Sequence, residues 1–500
     1  MKKLIISMVL FSFAAAGIAQ VIDNTSTRVQ TSLNPGLKHL GTLIPRNIHQ
    51  IDTSRWTLGC ETIDREYADF NAYKEYLPAL GIKRIRLQGG WARTEKDPGI
   101  YDFAWLDQII DDARSRGLEI WLETDYGNPG YEGGGGRTLK GGFPTSEKAL
   151  AAWDKWVELM ATRYKGKVRD WAMWNEPDIN KQHKPVDIAD FNIRTAEIIK
   201  RIIPDARIGA LSLASINPKF LEDCLQRFSD KGKLDLFYWV IYHGYTMNPD
   251  TAYTNVDKMR EVVKRVAPKL KMWQGENGTQ SEWCQSGALS KYPWTELTQA
   301  KWDARRMLGD IGHDVDSTVF TAADIDYRTT DFHNGLVRYG LLKTAGAVEG
   351  FRVLKVKMAY YAAQNVVSVF NDAVDLIPEY PCEVTCARAL SIYGYKVKKN
   401  GQQVVVFWDK TKVPENVNDT TPATLKIKGG MFKSPVWVDT LTGDVYEIPA
   451  DKMSVDGDTV TFKDIPVYDA PTFITERDSL LYEESARLVY ERTHAKKQGQ

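Results

Sequence analysis

Two glutamates, each at the close of an apolar run, are the residues best placed to do chemistry. Glu176 stands in "DWAMWNEPDIN", where Trp171, Ala172, Met173 and Trp174 lead into Asn175 and Glu176 before Pro177 cuts the run off. Glu276 stands in "LKMWQGENG". A carboxyl group kept neutral is a general acid; a carboxylate kept ionised is a base or a nucleophile. The elements that carry the two groups decide whether they can act as a pair.

Residues 55–372 alternate strand-like and helix-like stretches. "IKRIRLQGGW" is short and β-branched and ends in glycine, which predicts a buried strand. "WLDQIIDDARSRG" carries Trp105, Leu106, Ile109, Ile110 and Ala113 at helical spacing and is closed by Gly117. With "RWTLGCET" as first strand and "DREYADFNAYKEYLPALG" as first helix, the count reaches eight strands and eight helices. Repeated βα units over this length predict a (β/α)8 TIM barrel. An open doubly wound sheet is the alternative; it would want a glycine-rich phosphate turn after the first strand, and "RWTLGCETID" has none.

In such a barrel the strands' C-terminal ends carry the site. Glu176 closes strand four and Glu276 closes strand seven, nearly opposite in a ring of eight. Paired carboxylates flanking one bond are what glycoside hydrolysis requires, with retention at a separation of roughly 5–5.5 Å and inversion at roughly 6.5–9.5 Å. The neighbours suit this division. Asn175 could bond a sugar hydroxyl. Arg86 and Tyr245 could donate to Glu276 and keep it ionised, and Trp174 could desolvate Glu176. His243, closing strand six, reads as site lining or as a satisfied core residue. Trp91, Tyr126 and Trp283, with Trp273 and Trp294, suit both sugar stacking and core packing.

"WNEP" at the end of strand four resembles the acid/base signature of clan A glycoside hydrolases. "WQGENG" is similar to their nucleophile strand, and "YHGY" to their strand-six His and Tyr. The resemblance implies a retaining (β/α)8 enzyme with Glu176 as acid/base, Glu276 as nucleophile and Asn175 as hydroxyl-binding amide. It implies that Tyr245 bonds the nucleophile, that Arg86 is the strand-two arginine and that His243 lines the pocket. Barrel plus trailing β-domain looks like the β-xylosidase and iduronidase group, family 39. Two positions depart from the clan: strand three ends in "ETDYGNP" without a His, and no Trp closes strand eight.

After residue 372 the texture changes. "QQVVVFWDK", "ATLKIKGG" and "PVWVDTLTGDVYEI" are short alternating runs between Gly, Asn and Asp turns, which predict an antiparallel β-sandwich over 373–477. Residues 20–54 read as a lead-in that adds a strand to the sandwich or merely precedes it. Residues 478–500 read as a charged tail, helical at its start. Residues 1–19, "MKKLIISMVLFSFAAAGIA", carry two lysines, an apolar run and small residues, the pattern of a cleaved signal peptide, so a secreted or periplasmic location is expected. Cys382 and Cys386 in "PCEVTC" read as a local disulfide or two free thiols.

With 65 basic and 65 acidic residues, nothing suggests a nucleic-acid partner, and no later apolar run is long enough to span a membrane. No cofactor or metal is expected, since His243 lacks companion ligands in the sequence, and the partner expected is a carbohydrate substrate. "GYEGGGGRTLKGGF" lacks the Lys-Ser/Thr ending of a phosphate loop and suits a loop over the barrel mouth. The reading is a glycoside hydrolase. A non-catalytic carbohydrate-binding barrel and a transglycosylase using the same pair are the alternatives.

Overall fold

Eight parallel strands close on themselves. They are β1 Trp56–Gly59, β2 Arg84–Gln88, β3 Glu119–Thr124, β4 Asp170–Met173, β5 Arg207–Leu213, β6 Trp239–His243, β7 Lys271–Asn277 and β8 Asp316–Val319. The structure, a computed structural model, describes residues 31–329 and 334–484. The leader reading of 1–19 therefore lies outside the described residues.

Strand alternation explains the lumen. Along β2, Ile85 and Leu87 face the helices, while Arg84, Arg86 and Gln88 face inward. Arg84 lies over the Trp273 ring and Arg86 over Trp121, at 5.0 and 5.5 Å. Trp121 and Trp273 pack at 4.3 Å between ring centroids. An aromatic floor thus fills the lumen, and the polar ends of the same alternating series emerge above it.

The helices outside are α1 Ala104–Ser115, α2 Glu147–Tyr164, α3 Pro185–Ile202, α4 Pro218–Asp230, α5 Tyr253–Val266, α6 Glu296–Gly312 and α7 Met358–Phe370. The helix expected between β1 and β2 is instead three short turns, Phe70–Tyr73, Lys74–Tyr76 and Leu77–Leu80. Thr62 and Glu66 adopt left-handed backbone that delays its start, and Pro78 opens the last turn.

The second domain is antiparallel. Its larger sheet runs Val374–Ile377, Leu390–Val397, Gln403–Asp409, Thr472–Glu476, Pro435–Asp439, Asp444–Glu447, Lys38–Leu43 and Tyr482–Glu484 in spatial order. Its smaller sheet runs Cys382–Cys386, Thr421–Lys428, Thr459–Val467 and Met453–Asp456. "QVVVFWD" is buried on both faces. Val404, Val406 and Trp408 join the core shared with the barrel, while Val405 and Phe407 face the smaller sheet.

One open alternative is decided here and one expectation is corrected. Cys382 and Cys386 occupy one extended strand and are free thiols. Four residues of strand span about 13 Å, well beyond the roughly 7 Å limit for a disulfide. The helix expected at the start of the charged tail is only the short turn Arg477–Ser479, followed by a strand, Tyr482–Glu484, paired with Lys38–Leu43, because that sheet edge offers backbone partners. The remaining tail lies outside the described residues.

Helix α6 is held between the domains. Lys301 Nζ donates to Asp469 Oδ1 at 2.6 Å and to the Glu415 carbonyl at 2.8 Å, and Trp408 Nε1 donates to Asp250 Oδ1 at 2.9 Å. Lys301→Met leaves Asp469 buried without its cation. Breaking a buried pair this way costs about 3–5 kcal/mol. We expect a clear fall in thermal unfolding temperature; an unchanged one would show that the pair adds nothing.

Among the described residues, no helix is long and apolar enough to cross a membrane.

Candidate active site

Above the lumen floor lies a cavity of about 540 Å³ at the strands' C-terminal ends, lined by Glu61, Tyr126, Asn175, Glu176, Tyr245 and Glu276 among others. Leu139 and Lys140 of the glycine-rich loop wall one side, and Gln285 to Lys291 another. In the first loop Gly136 and Gly141 pass so closely that a Cβ on Gly141 would lie 2.3 Å from the Gly136 carbonyl. That close approach accounts for the glycines without any phosphate.

Glu176 leaves β4 on strained backbone. Trp174 and Glu176 both have positive φ, 64° and 49°. The Glu176 N–H donates to the Ser212 carbonyl at 2.9 Å, and Asp178 Oδ1 accepts from the Ala214 N–H at 2.7 Å. These bonds pin the exit loop and offset the strain. Trp174 packs among Phe143, Trp153 and Phe191.

Glu276 is placed by an irregularity. The β6–β7 register shifts after Tyr242, so that His243 lies opposite Glu276. Such bulges re-aim side chains at strand ends. Tyr245 Oη donates to Glu276 Oε1 at 2.8 Å, and Arg86 Nη1 donates to Oε2 at 2.7 Å. Arg86 Nη2 also donates to Asn175 Oδ1 at 2.7 Å, and Asn175 Nδ2 donates to Tyr126 Oη at 2.7 Å. His243 Nδ1 is 2.9 Å from Glu176 Oε1 and 3.8 Å from Glu276 Oε2. One oxygen of each glutamate and one ring nitrogen of His243 lie within 4.8 Å of one another.

These three residues are also close enough to share a cation. However, both Glu276 oxygens are already bonded by Arg86 and Tyr245, and the guanidinium beside them repels a metal ion.

The two carboxyls are pushed in opposite directions. Burial raises the Glu176 pKa; the His243 bond opposes this and nearby Glu276 adds to it, leaving the group above the usual carboxylate range. Burial would raise Glu276 too, but the fields of His243 and Arg86 and the bonds from Arg86 and Tyr245 outweigh it, and the group sits below that range. Burial disfavours charge on His243, yet Glu276 and Glu176 hold its pKa above the usual imidazole value. The result is one carboxyl disposed to stay neutral facing one disposed to stay ionised.

The structure brings Arg86, Tyr126, Asn175, Glu176, His243, Tyr245 and Glu276 together. It does not bring Trp91, which is fully buried, lies 5.5 Å from Trp153 by ring centroid, and donates Nε1 to Glu95 at 2.6 Å. A tryptophan just past β2 turns into the helix layer, not over the mouth. Trp283 is 57% exposed and lies outside the cavity wall, although the loop that carries it supplies that wall. Trp273 belongs to the lumen floor, and Trp294 is buried with Nε1 donating to the Leu289 carbonyl at 2.7 Å.

The sequence reading places Glu123 at the end of strand three without giving it a role and overlooks Glu61; both are buried against Arg86. Glu61 follows β1 in "GCET", and a search of every strand end for carboxylates would find it.

A β-galactosidase family model matches residues 69–130 of the chain. No curated protein matches the chain by sequence. Among solved structures, the fold is similar to a family 39 glycoside hydrolase from the gut symbiont Bacteroides cellulosilyticus WH2. That pair shares 16% identity over 84% of this chain and 80% of that one, with a TM-score of 0.59. A monomeric β-xylosidase from Caulobacter crescentus CB15 aligns at 16% identity over 88% and 98% of the two chains, with a TM-score of 0.52. The family 39 enzyme from Xanthomonas axonopodis pv. citri gives 16% over 87% and 95%, with a TM-score of 0.52. The family model and these structures belong to one class, the glycoside hydrolases, which is the class that the "WNEP" and "WQGENG" resemblance implies. The shared architecture is the (β/α)8 barrel with a β-sandwich that the sequence predicts.

Proposed function

We propose that this chain is a retaining glycoside hydrolase that cleaves O-glycosidic bonds by double displacement. The observation that carries this reading is the pair Glu176 and Glu276, with oxygens within 4.8 Å and opposed tendencies to ionise. The spacing favours direct attack, since an inverting pair leaves room for a water between its carboxyls. Glu276 attacks the anomeric carbon while neutral Glu176 protonates the departing oxygen. Glu176, now a base, takes a proton from water, which attacks the glycosyl ester and frees Glu276. Asn175, fixed between Arg86 and Tyr126, offers its amide to a sugar hydroxyl. The signal-peptide pattern read in residues 1–19 favours action outside the cytoplasm.

A 2-fluoro glycoside with an activated leaving group tests this, offered as a broad panel of sugars. The expected result is a covalent adduct on the peptide carrying Glu276. No adduct with any sugar would overturn the reading, and it would favour a binding barrel. Because Glu276 is held low and Glu176 high, kcat/KM is expected to be bell-shaped in pH. Activity falls in acid as Glu276 takes a proton and in alkali as Glu176 loses one, and each limb belongs to the coupled pair.

Tyr245→Phe removes one donor from Glu276. A hydrogen bond to a charged group contributes about 1.5–3 kcal/mol, so kcat/KM should fall roughly 10- to 150-fold. The acid limb should move to higher pH, since the anion loses support. An unmoved limb would show that Tyr245 does not act on Glu276.

A further inference from the structure

Arg86 contacts three carboxylates at the barrel mouth, Glu61, Glu123 and Glu276. Its Nε and Nη2 hold Glu123, with the closest contact at 2.8 Å, and Nη2 also holds Asn175. Its Nη1 is shared between Glu61 Oε1 and Glu276 Oε2. Every guanidinium N–H is thereby committed, and Arg86 is fully buried. Arg86 and the His243 ring supply at most two positive charges to three buried carboxylates, so a proton must reside on one of the acids.

Glu61 is the acid whose geometry suits that proton. It is 3% exposed, and its Oε2 has no hydrogen-bond partner. An unpaired anionic oxygen in such a place is far more costly than a protonated one. The carboxyl folds back over the end of β1, where a Cβ on Gly59 would lie 2.4 Å from Oε2, so the glycine leaves it room. The titratable groups that act on Glu61 or are acted on by it are Cys60, Tyr73, Arg86, Glu123, Glu276 and Tyr327. Burial foremost, opposed by Arg86 and reinforced by Glu276, lifts its pKa to about 7.

We propose that Glu61 is a positioning residue that balances the charge of the nucleophile: it holds a proton while Glu276 is an anion and releases it when Glu276 becomes the glycosyl ester. This rests on the proposed double displacement. In the first step the Glu276 oxygen bonds to the anomeric carbon and the leaving group departs with its electron pair. The negative charge competing for Arg86 Nη1 disappears. Glu61 then ionises against the same nitrogen, and its proton leaves through the cavity it lines. Hydrolysis restores the Glu276 anion, and Glu61 takes a proton back.

The test uses the full chain carrying Glu176→Gln, so that the acid/base residue contributes no proton. It is labelled with a 2-fluoro dinitrophenyl glycoside, whose leaving group departs as an anion without protonation. Proton release is followed with an indicator dye. Because Glu61 holds a proton before labelling and not after, a fraction of a proton per labelled site should be released near neutral pH. Adding Glu61→Gln should abolish that release; equal release from both proteins overturns the proposal. In the Glu176→Gln protein, infrared difference spectra should lose the carbonyl band of one neutral carboxylic acid on labelling. If the band persists while Glu276 is labelled, the proposal fails even where the double variant does not fold. Glu61→Gln alone should leave the acid limb of kcat/KM in place, because a neutral carboxyl is exchanged for a neutral amide at that pH; a shift to lower pH would show Glu61 ionised beside the Glu276 anion and would overturn the proposal. Failure of any sugar to label the wild-type protein counts instead against the double-displacement reading.

Discussion

Glu276→Ala is expected to lower kcat by roughly 10⁵-fold or more on every glycoside the wild-type protein cleaves, the scale seen when an enzyme loses its nucleophile. That factor corresponds to about 7 kcal/mol of barrier. The reason is specific to this site. Among the described residues nothing else on the β7 side presents an ionised oxygen to the cavity at this position, and Glu61 and Glu123 are bound to Arg86 below it. The alanine variant keeps Arg86, Tyr245 and His243, so it retains a positively lined space where the carboxylate stood. Azide should enter that space, attack an activated substrate from the vacated face, and give a glycosyl azide of inverted configuration. Rescue with inversion, read by the product's anomeric signal, is the outcome that fits a nucleophile. Near-wild-type hydrolysis by Glu276→Ala would remove it from the mechanism.

How much of this was legible in the sequence follows from which signals are local. Each barrel strand has a short apolar core, and the eight runs found from pattern coincide with β1 to β8. Glu176 and Glu276 are legible because each interrupts such a run at the end that a barrel turns toward its site. Arg86 and Tyr245 follow from the same logic. What the pattern cannot carry is side-chain direction beyond the strand. Trp91 sits one turn past β2, where the chain has already bent, and its ring enters the helix layer among Trp153 and Trp156. Cys382 and Cys386 look adjacent in a line of text, but an extended strand carries them apart. Glu61 is hidden for another reason. A single carboxylate after "GC" has no distinctive neighbour in sequence, and its meaning comes from Arg86, on the next strand, which it shares with Glu276. The charge balance of the site is a property of the ring of strands.

Glu176→Ala separates the two halves of the reaction. The proton of Glu176 matters in proportion to how badly the departing oxygen needs it. For an alkyl or sugar leaving group, loss of general acid catalysis should slow glycosylation by about 10²–10⁴-fold. For a dinitrophenyl leaving group, stable as an anion, glycosylation should be nearly unchanged, and the glycosyl ester should accumulate because no base remains to activate water. Burst kinetics with the activated substrate, and slow turnover without a burst on natural linkages, are the expected pair of results. The sign of the pH effect follows from the site as well. In the wild-type protein burial and Glu276 keep Glu176 protonated, and activity is lost as pH rises through its raised pKa. The variant has no proton there to lose, so its alkaline limb should flatten. His243 is bonded to Glu176 at 2.9 Å and could be suspected of supplying the acid itself. Were that so, Glu176→Ala would keep the alkaline limb and slow both substrate classes equally. That result would move the acid role from Glu176 to His243.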